Sequence, residues 1–140
     1  MIFLDTDICI DILHGKYSLS SFIETFSSQE KFGITSLSVF ELFIGFYKLR
    51  FGKNKIIEKN LNIERKSIEK LIQGLYIFPL NEKAAKLAAK IFRKIEATGK
   101  SLDPFDCLIA SIILSNDYCN ILTRNIKLFQ RIDGIKPIKP

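Results

Sequence analysis

The sequence predicts an α/β protein in three layers, a central parallel sheet of four to five strands with helices on both faces (α/β/α). Three observations lead there. Short apolar runs at 2–4, 31–35, 75–80 and 120–123 have the length and composition of buried strands. Each run is followed by a stretch whose apolar residues recur at helical spacing. No Pro/Gly/Ser-rich linker, low-complexity tract or internal repeat interrupts the 140 residues, so residues 1–140 are read as a single domain with a real core.

In order, Ile2-Phe3-Leu4 is the first strand and ends in Asp5-Thr6-Asp7. Ile8, Ile10, Ile12 and Leu13 continue as a helix, capped by Thr6 or Asp7 and stopped at Gly15. Asp5 thereby stands at the C-terminal end of a strand, the edge on which open α/β sheets bind ligands. Asp7 reads as a cap and Asp11 as a solvated helix residue. A short helix over 18–26 carries Leu19, Phe22, Ile23 and Phe26 on one face, and 31–35 is the second strand. Ser36 or Ser38 then caps a helix over 39–49.

Glu41 is anomalous in that helix. Its neighbours in sequence are Phe40 and Leu42, and no Lys or Arg lies within one turn on its N-terminal side. A buried glutamate of this kind loses its charge, finds a cation or forms a salt bridge from elsewhere in the chain.

From Lys48 to Lys70 the chain is rich in bases and fits a helical hairpin or one long bent helix, with Ile56, Ile57, Leu61, Ile63, Ile68, Leu71 and Ile72 inward. Glu58, Glu64 and Glu69 suit a solvated face with helix ion pairs. The same run, with Tyr47 and Phe51 interleaved, also suits a surface that tracks phosphates, through Lys48, Arg50, Lys53 and Lys55. Residues 75–80 form the third strand, and Asn81 caps an amphipathic helix to Gly99 with Ala84, Leu87, Ala88, Ile91, Phe92 and Ile95 as its apolar stripe.

Asp103 before Pro104 reads as the cap of the next helix, with proline at its first position. Asp106, three residues on and between Phe105 and Leu108, is either a second group on the helix dipole or a carboxylate that needs a cation. Residues 120–123 are the fourth strand, followed by Arg124-Asn125 and a short helix containing Leu128, Phe129 and Ile132. Residues 135–138 are expected as a brief edge strand.

An apolar fraction of 47% with 26% charged residues is that of a globular chain, and a net charge of +6 favours a polyanionic partner. The N-terminus has no basic region followed by a long apolar one, and no apolar run reaches membrane-spanning length, so a soluble, cytoplasmic protein is expected with no membrane partner. Cys9, Cys107 and Cys119 lie in apolar runs and His14 is the only histidine, which predicts buried reduced thiols and argues against zinc.

Asp5, Glu41, Asp103 and Asp106 come from distant segments, yet each stands at a strand's C-terminal end or in the first turns of a helix. In a parallel sheet those positions converge on one edge. Carboxylates meeting without basic partners repel and raise at least one pKa; a divalent cation relieves this. Ligation by carboxylates alone points to Mg²⁺ or Mn²⁺, and a hard cation on a basic protein points to phosphodiester hydrolysis.

Four pieces in this order carry a family resemblance: Phe3-Leu4-Asp5-Thr6-Asp7; Thr35-Ser36 through Phe40-Glu41-Leu42 with Gly45; Asp106-Cys107-Leu108-Ile109-Ala110; and Leu122-Thr123-Arg124-Asn125 with Phe129, Arg131-Ile132 and Gly134. Across essentially its whole length the chain resembles the PIN domain of the VapC toxin type. The resemblance implies a Mg²⁺- or Mn²⁺-dependent endoribonuclease, the toxin of a type II toxin–antitoxin pair, blocked by an antitoxin protein and working as a homodimer on RNA. It implies that Asp5, Glu41 and Asp106 are the principal metal-binding and catalytic acids, with Asp103 one turn before the third. The family's fourth acid usually follows the fourth strand; here Asn125 and Leu128 occupy its possible places, and the carboxylate is missing. Thr6 and Thr123 are placed to hydrogen-bond the acids, and Asn125 to ligate through its carbonyl or hold a water. Leu13, Phe22, Phe26, Leu42, Phe43, Phe46 and Leu49 exceed what one sheet face absorbs, and the surplus is expected to form an antitoxin groove and a dimer surface.

Two other classes compete. The missing fourth acid suits a catalytically weakened or inactive RNA-binding or regulatory module. Asp5-Thr6-Asp7 after a first strand also opens haloacid-dehalogenase-like phosphatases, which need a longer chain and a later acidic pair where this chain has Thr123-Arg124-Asn125.

Overall fold

The computed structural model describes residues 1–53 and 56–140. Five strands, β1 (Ile2–Leu4), β2 (Phe32–Thr35), β3 (Tyr76–Phe78), β4 (Asn120–Leu122) and β5 (Lys136–Ile138), form one sheet in the order β3-β2-β1-β4-β5. Every neighbouring pair is parallel. Among the described residues the helices are α1 (Thr6–Leu13), α2 (Leu19–Phe26), α3 (Ser36–Phe51), α4 (Glu58–Gln73), α5 (Glu82–Glu96), α6 (Pro104–Ser115) and α7 (Ile126–Phe129).

Strand side chains alternate between faces, and this divides the core in two. Ile2, Leu4, Phe32, Ile34 and Leu122 pack with α1 to α4, through Ile8, Phe22, Leu42, Phe46, Leu61 and Ile68. Phe3 and Ile121 pack on the other face with α5 to α7, through Ala88, Ile95, Ile109, Ile113 and Phe129. The chain is therefore the three-layer α/β/α sandwich expected. Burial on both faces is why its central strands read as continuous apolar runs. Phe3 anchors the second layer, its ring 4.8 Å from Phe78 and 5.7 Å from Tyr118. It pairs in register with Gly33, where a Cβ would come within 3.1 Å of the Phe78 ring and 3.2 Å of the Tyr76 carbonyl. A side chain there would compete for the space that Phe78 occupies.

From β1 the chain proceeds outward through β2 to β3, then returns to β4 on the other side of β1 and continues to β5. Strand order reverses between β1 and β4, so their C-terminal ends flank the crevice in which open α/β sheets place ligands.

Several local expectations are corrected. Asp5, not Thr6 or Asp7, caps α1, and Thr35, not Ser36 or Ser38, caps α3 through its hydroxyl, 3.1 Å from the Ser38 amide. In both cases the strand ends where the pattern placed it, and the polar residue at its C-terminal end is itself the cap, so the helix starts one residue or more sooner than expected. The base-rich run falls on two separate helices, the end of α3 and α4, which pack on each other, but Ile57 and Ile63 are 71% and 54% exposed. Ile57 precedes the first turn of α4, and Ile63 lies nearly opposite the Leu61, Ile68 and Leu71 stripe. β3 is an edge strand pairing only with β2, which leaves Tyr76 and Ile77 about half exposed. Helix α5 stops at Glu96, short of Gly99, and Cys119 is half-buried, not buried like Cys9 and Cys107.

Candidate functional site

Strand β1 delivers Asp5 to the central crevice, where the residue is 7% exposed. Its Oδ1 accepts the Thr6 amide at 2.8 Å, the first free N–H of α1. Register pairs Leu4 with Leu122, so the next residue of each strand also meets: the Thr123 hydroxyl donates to Asp5 Oδ2 at 2.6 Å. The same hydroxyl oxygen accepts the Asn125 amide at 2.9 Å, which directs its proton toward Asp5. On the other side of β1, the Thr35 cap places Glu41 in the second turn of α3, and Thr6 Oγ1 donates to Glu41 Oε2. Thr6 and Thr123 thus each hold one acid.

Asp103 caps α6, its Oδ1 accepting the Phe105 amide at 2.7 Å, and is exposed; Asp106 follows in the first turn, half-buried. Burial is the main reason the Asp5 carboxyl is raised from 3.8 to about 7; the charges of Asp7 and Asp106 add to it, and the Thr123 and Thr6 hydrogen bonds oppose it. Asp106 is raised from 3.8 to about 6, again chiefly by burial and then by Asp103, Glu41 and Asp7. Acids of three segments, the β1–α1 junction, α3 and the start of α6, therefore feel one another. None of Asp5, Glu41, Asp103 and Asp106 has an ion-pair partner among the described residues.

The basic partner in this region serves other acids, which is a correction. Asp7 is not a cap: its Oδ2 accepts both the Arg124 amide at 3.0 Å and the Arg124 Nε at 3.2 Å. Asp11 is not solvated: it is 7% exposed, 3.4 Å from Arg124 Nε and 3.2 Å from Lys16 Nζ. Asp7, Asp11 and Arg124 are the site residues the sequence reading passed over. The signal was available, because Asp7 and Asp11 share a face of α1 and adjacency of β1 and β4 brings the residue after Thr123 to that face.

Asn125 contributes its backbone amide; its side chain is exposed and caps nothing on α7. Lys48, Arg50 and Lys53 are exposed at and beyond the end of α3, and Arg50 pairs with Glu58 at 3.5 Å. Lys55 lies outside the described residues.

The donors at this edge are carboxylate and hydroxyl oxygens, a set suited to a hard divalent cation. Asp7 Oδ1 is buried with no hydrogen-bond partner, and two further carboxyls bear raised pKa values with no cation beside them. Among the described residues, however, no three acid, histidine or cysteine side chains stand ready to ligate a common ion. Both oxygens of Asp5 and one of Glu41 are engaged by Thr123, Thr6 and the Thr6 amide. Those oxygens keep further lone pairs, so the chemistry fits a cation while the side chains remain tied to protein donors.

The family model described as PIN domain matches residues 2–135. No match is found among curated proteins. Three solved structures share the fold across nearly the whole chain. VapBC2 from Rickettsia felis, bound to a promoter DNA fragment, is 22% identical, with 100% of this chain and 99% of that chain covered and a TM-score of 0.82. DNA-bound VapBC from Salmonella typhimurium is 25% identical, covering 99% and 98%, with a TM-score of 0.77. FitAcB from Neisseria gonorrhoeae is 21% identical, covering 99% and 96%, with a TM-score of 0.76.

Proposed function

This chain belongs to the PIN-domain family, and from that membership and its acid-lined crevice we propose that it is a Mg²⁺- or Mn²⁺-dependent endoribonuclease, the toxin of a type II toxin–antitoxin pair. The observation that carries the reading is the placement of Asp5 and Asp106: two carboxyls with pKa values raised to about 7 and about 6, at the switch-point edge, with no basic partner. Asp5 and Asp106 would hold the ion, with Glu41 and Asp103 joining directly or through water. Bound there, the cation would lower the pKa of a water and stabilise charge developing on phosphate.

The chain's own groups supply the rest. The Thr123 hydroxyl and the Thr6 amide fix the Asp5 carboxylate, and Thr6 steadies Glu41. A carboxylate of the site would act as general base, taking a proton from the attacking water. Lys48, Arg50 and Lys53, exposed at and beyond the C-terminal end of α3, would meet the RNA backbone. VapBC structures among those sharing the fold support an antitoxin partner, and exposed apolar residues such as Ile10 and Leu49 offer it contact. A homodimer is proposed on the same grounds. No described helix is long and apolar enough to cross a membrane, which suits a toxin acting on cellular RNA.

Asp5→Asn and Asp106→Asn, shown to be folded by circular dichroism, are expected to abolish Mg²⁺-dependent cleavage of RNA. Folded variants that cut as fast as the parent overturn the reading. A second reading, an inactive RNA-binding module, has one observation in its favour: the uncharged Asn125 after β4. Calorimetric titration separates the two, since an inert module binds no Mn²⁺ at millimolar concentration.

A further inference from the structure

The α5–α7 layer contains a trough that the acid site does not use. It lies between the second half of α5, the C-terminal end of α6 and the turn after α7, and has a volume of about 350 Å³. Leu87, Ile91, Ile95, Leu114 and Ile132 form its floor. Ile95 and Ile132 belong to the core, but Leu87, Ile91 and Leu114 remain half-buried, so the chain covers only part of the apolar stripe of α5. The rim is basic. Lys90, Lys94, Lys100 and Arg131 stand around the floor with a single acid, Asp133. Lys94 is bonded to that acid at 2.6 Å, whereas Lys90 and Lys100 have no ion-pair partner among the described residues. Arg131 Nη1 donates to the Ser101 carbonyl at 3.2 Å, which holds the guanidinium beside Lys100 with the rest of its donor fork to spare. None of the crevice acids lines the trough, and Leu114 stands eight residues along α6 from Asp106, about 12 Å of helix.

We propose that this trough binds a medium-chain aliphatic carboxylate, its chain on the α5–α6 floor and its carboxylate on Arg131 and Lys100. The inference is independent of the ribonuclease reading. An apolar concavity with a few convergent polar groups is the usual form of a small-molecule site, and this volume stands at the small end of the range, room for a chain of about ten carbons. The planar guanidinium fork matches a carboxylate in shape as well as charge. Other occupants fit less well. A nucleic-acid strand would find the cations but no ring on which to stack a base, because every floor side chain is aliphatic. A second copy of the chain would set Lys90, Lys100 and Arg131 against like charges, on a protein of net charge +6.

The test is isothermal titration calorimetry of the full chain with octanoate, decanoate and dodecanoate, and with decanol as the uncharged counterpart. Decanoate is expected to bind once per chain. Each pair of added methylenes that finds room on the floor should tighten binding about tenfold, and decanol should bind about tenfold more weakly than decanoate. Arg131→Gln and Lys100→Gln, both at exposed positions and checked for folding by circular dichroism, should each weaken decanoate about tenfold and leave decanol unmoved. Lys59→Glu on α4 serves as the control and should change neither. Absence of saturable one-to-one binding overturns the inference, as does unchanged decanoate affinity in both glutamine variants or equal affinity for decanol. N-acetylated trileucine with a free carboxyl end provides the last arm: if it binds more tightly than decanoate, the trough is a site for peptide chain ends, and the inference is wrong.

Discussion

Removing the charge of Asp5 should make the protein more stable at pH 8 and slightly less stable at pH 4. A carboxyl held near 7 instead of 3.8 costs the folded state about 4 kcal/mol once it is fully ionised. The sign follows from proton counting. Between about pH 4 and pH 7 the folded chain holds a proton that the unfolded chain has released, so stability falls as pH rises through that window and levels above it. Asp5→Asn deletes the ionisation and keeps a good helix cap. It also turns one amide hydrogen toward either the Thr6 amide or the Thr123 hydroxyl, both of which donate to Asp5, at a cost of about 1–2 kcal/mol.

The balance is a gain of about 2–3 kcal/mol at pH 8. For a chain of 140 residues that raises Tm by about 8 °C. At pH 4 the parent's carboxyl is protonated when folded and, with an ordinary value of 3.8, about 40% protonated when unfolded; the ionisation cost is then below about 1 kcal/mol, the hydrogen-bond loss outweighs it, and the variant should melt a few degrees below the parent. Differential scanning calorimetry of both proteins in EDTA at pH 4 and pH 8 reads this directly. Asp106, raised to about 6, slopes both curves in the same direction and drops out of the comparison. A variant that melts below the parent at both pH values would show that Asp5 is not an electrostatic liability, and the argument for a cation beside it would fall. Adding Mn²⁺ at pH 8 should raise the parent's Tm and leave the variant's nearly unmoved.

Thr123→Val leaves the buried Asp5 without its hydroxyl donor and should cost about 2 kcal/mol in urea melts at pH 8, with Thr123→Ser restoring most of it. Arg124→Ala strips the shared cation from Asp7 and Asp11; because the guanidinium is half exposed, the loss should be about 1 kcal/mol in urea melts, and smaller at high salt. Phe3→Ala opens a cavity between Phe78 and Tyr118 in the α5–α7 layer and should cost about 3–5 kcal/mol by chemical denaturation. A cost below about 1 kcal/mol would mean that this layer collapses around the gap.

The layered fold was legible because it rests on long patterns. Four apolar runs separated by capped, periodic helices admit few other arrangements, and both halves of the core follow from the two-residue period of the strands. Individual ends were less legible. Whether Asp5 or Asp7 caps α1 depends on which residue leaves the strand first, and that is set by pairing with Leu122, whose carbonyl accepts the Asp5 amide at 3.0 Å. Ile57 and Ile63 were misplaced for a similar reason: an isoleucine in a helical hairpin looks inward until the phase of the helix is fixed by Leu61, Ile68 and Leu71.

The charges were the hardest to read, and the reason is topological. Sequence neighbours decide whether an acid looks solvated, and by that measure Asp11 is solvated and Asp7 is a cap. Spatial neighbours decide what the acid does, and those are supplied by strand order. Adjacency of β1 and β4 brings Thr123 to Asp5 and Arg124 to Asp7 and Asp11 in a single step. It thereby sorts four nearby carboxylates into two kinds. Asp7 and Asp11 are balanced by an arginine within the chain, whereas Asp5 and Asp106 are left with neutral donors and raised pKa values. A fold under pressure only for stability would extend the arginine to all of them or replace Asp5 by asparagine. The crevice instead keeps the costly arrangement beside the switch point, at the C-terminal edge of the sheet where open α/β folds bind ligands, and that selectivity is the strongest structural argument for chemistry there.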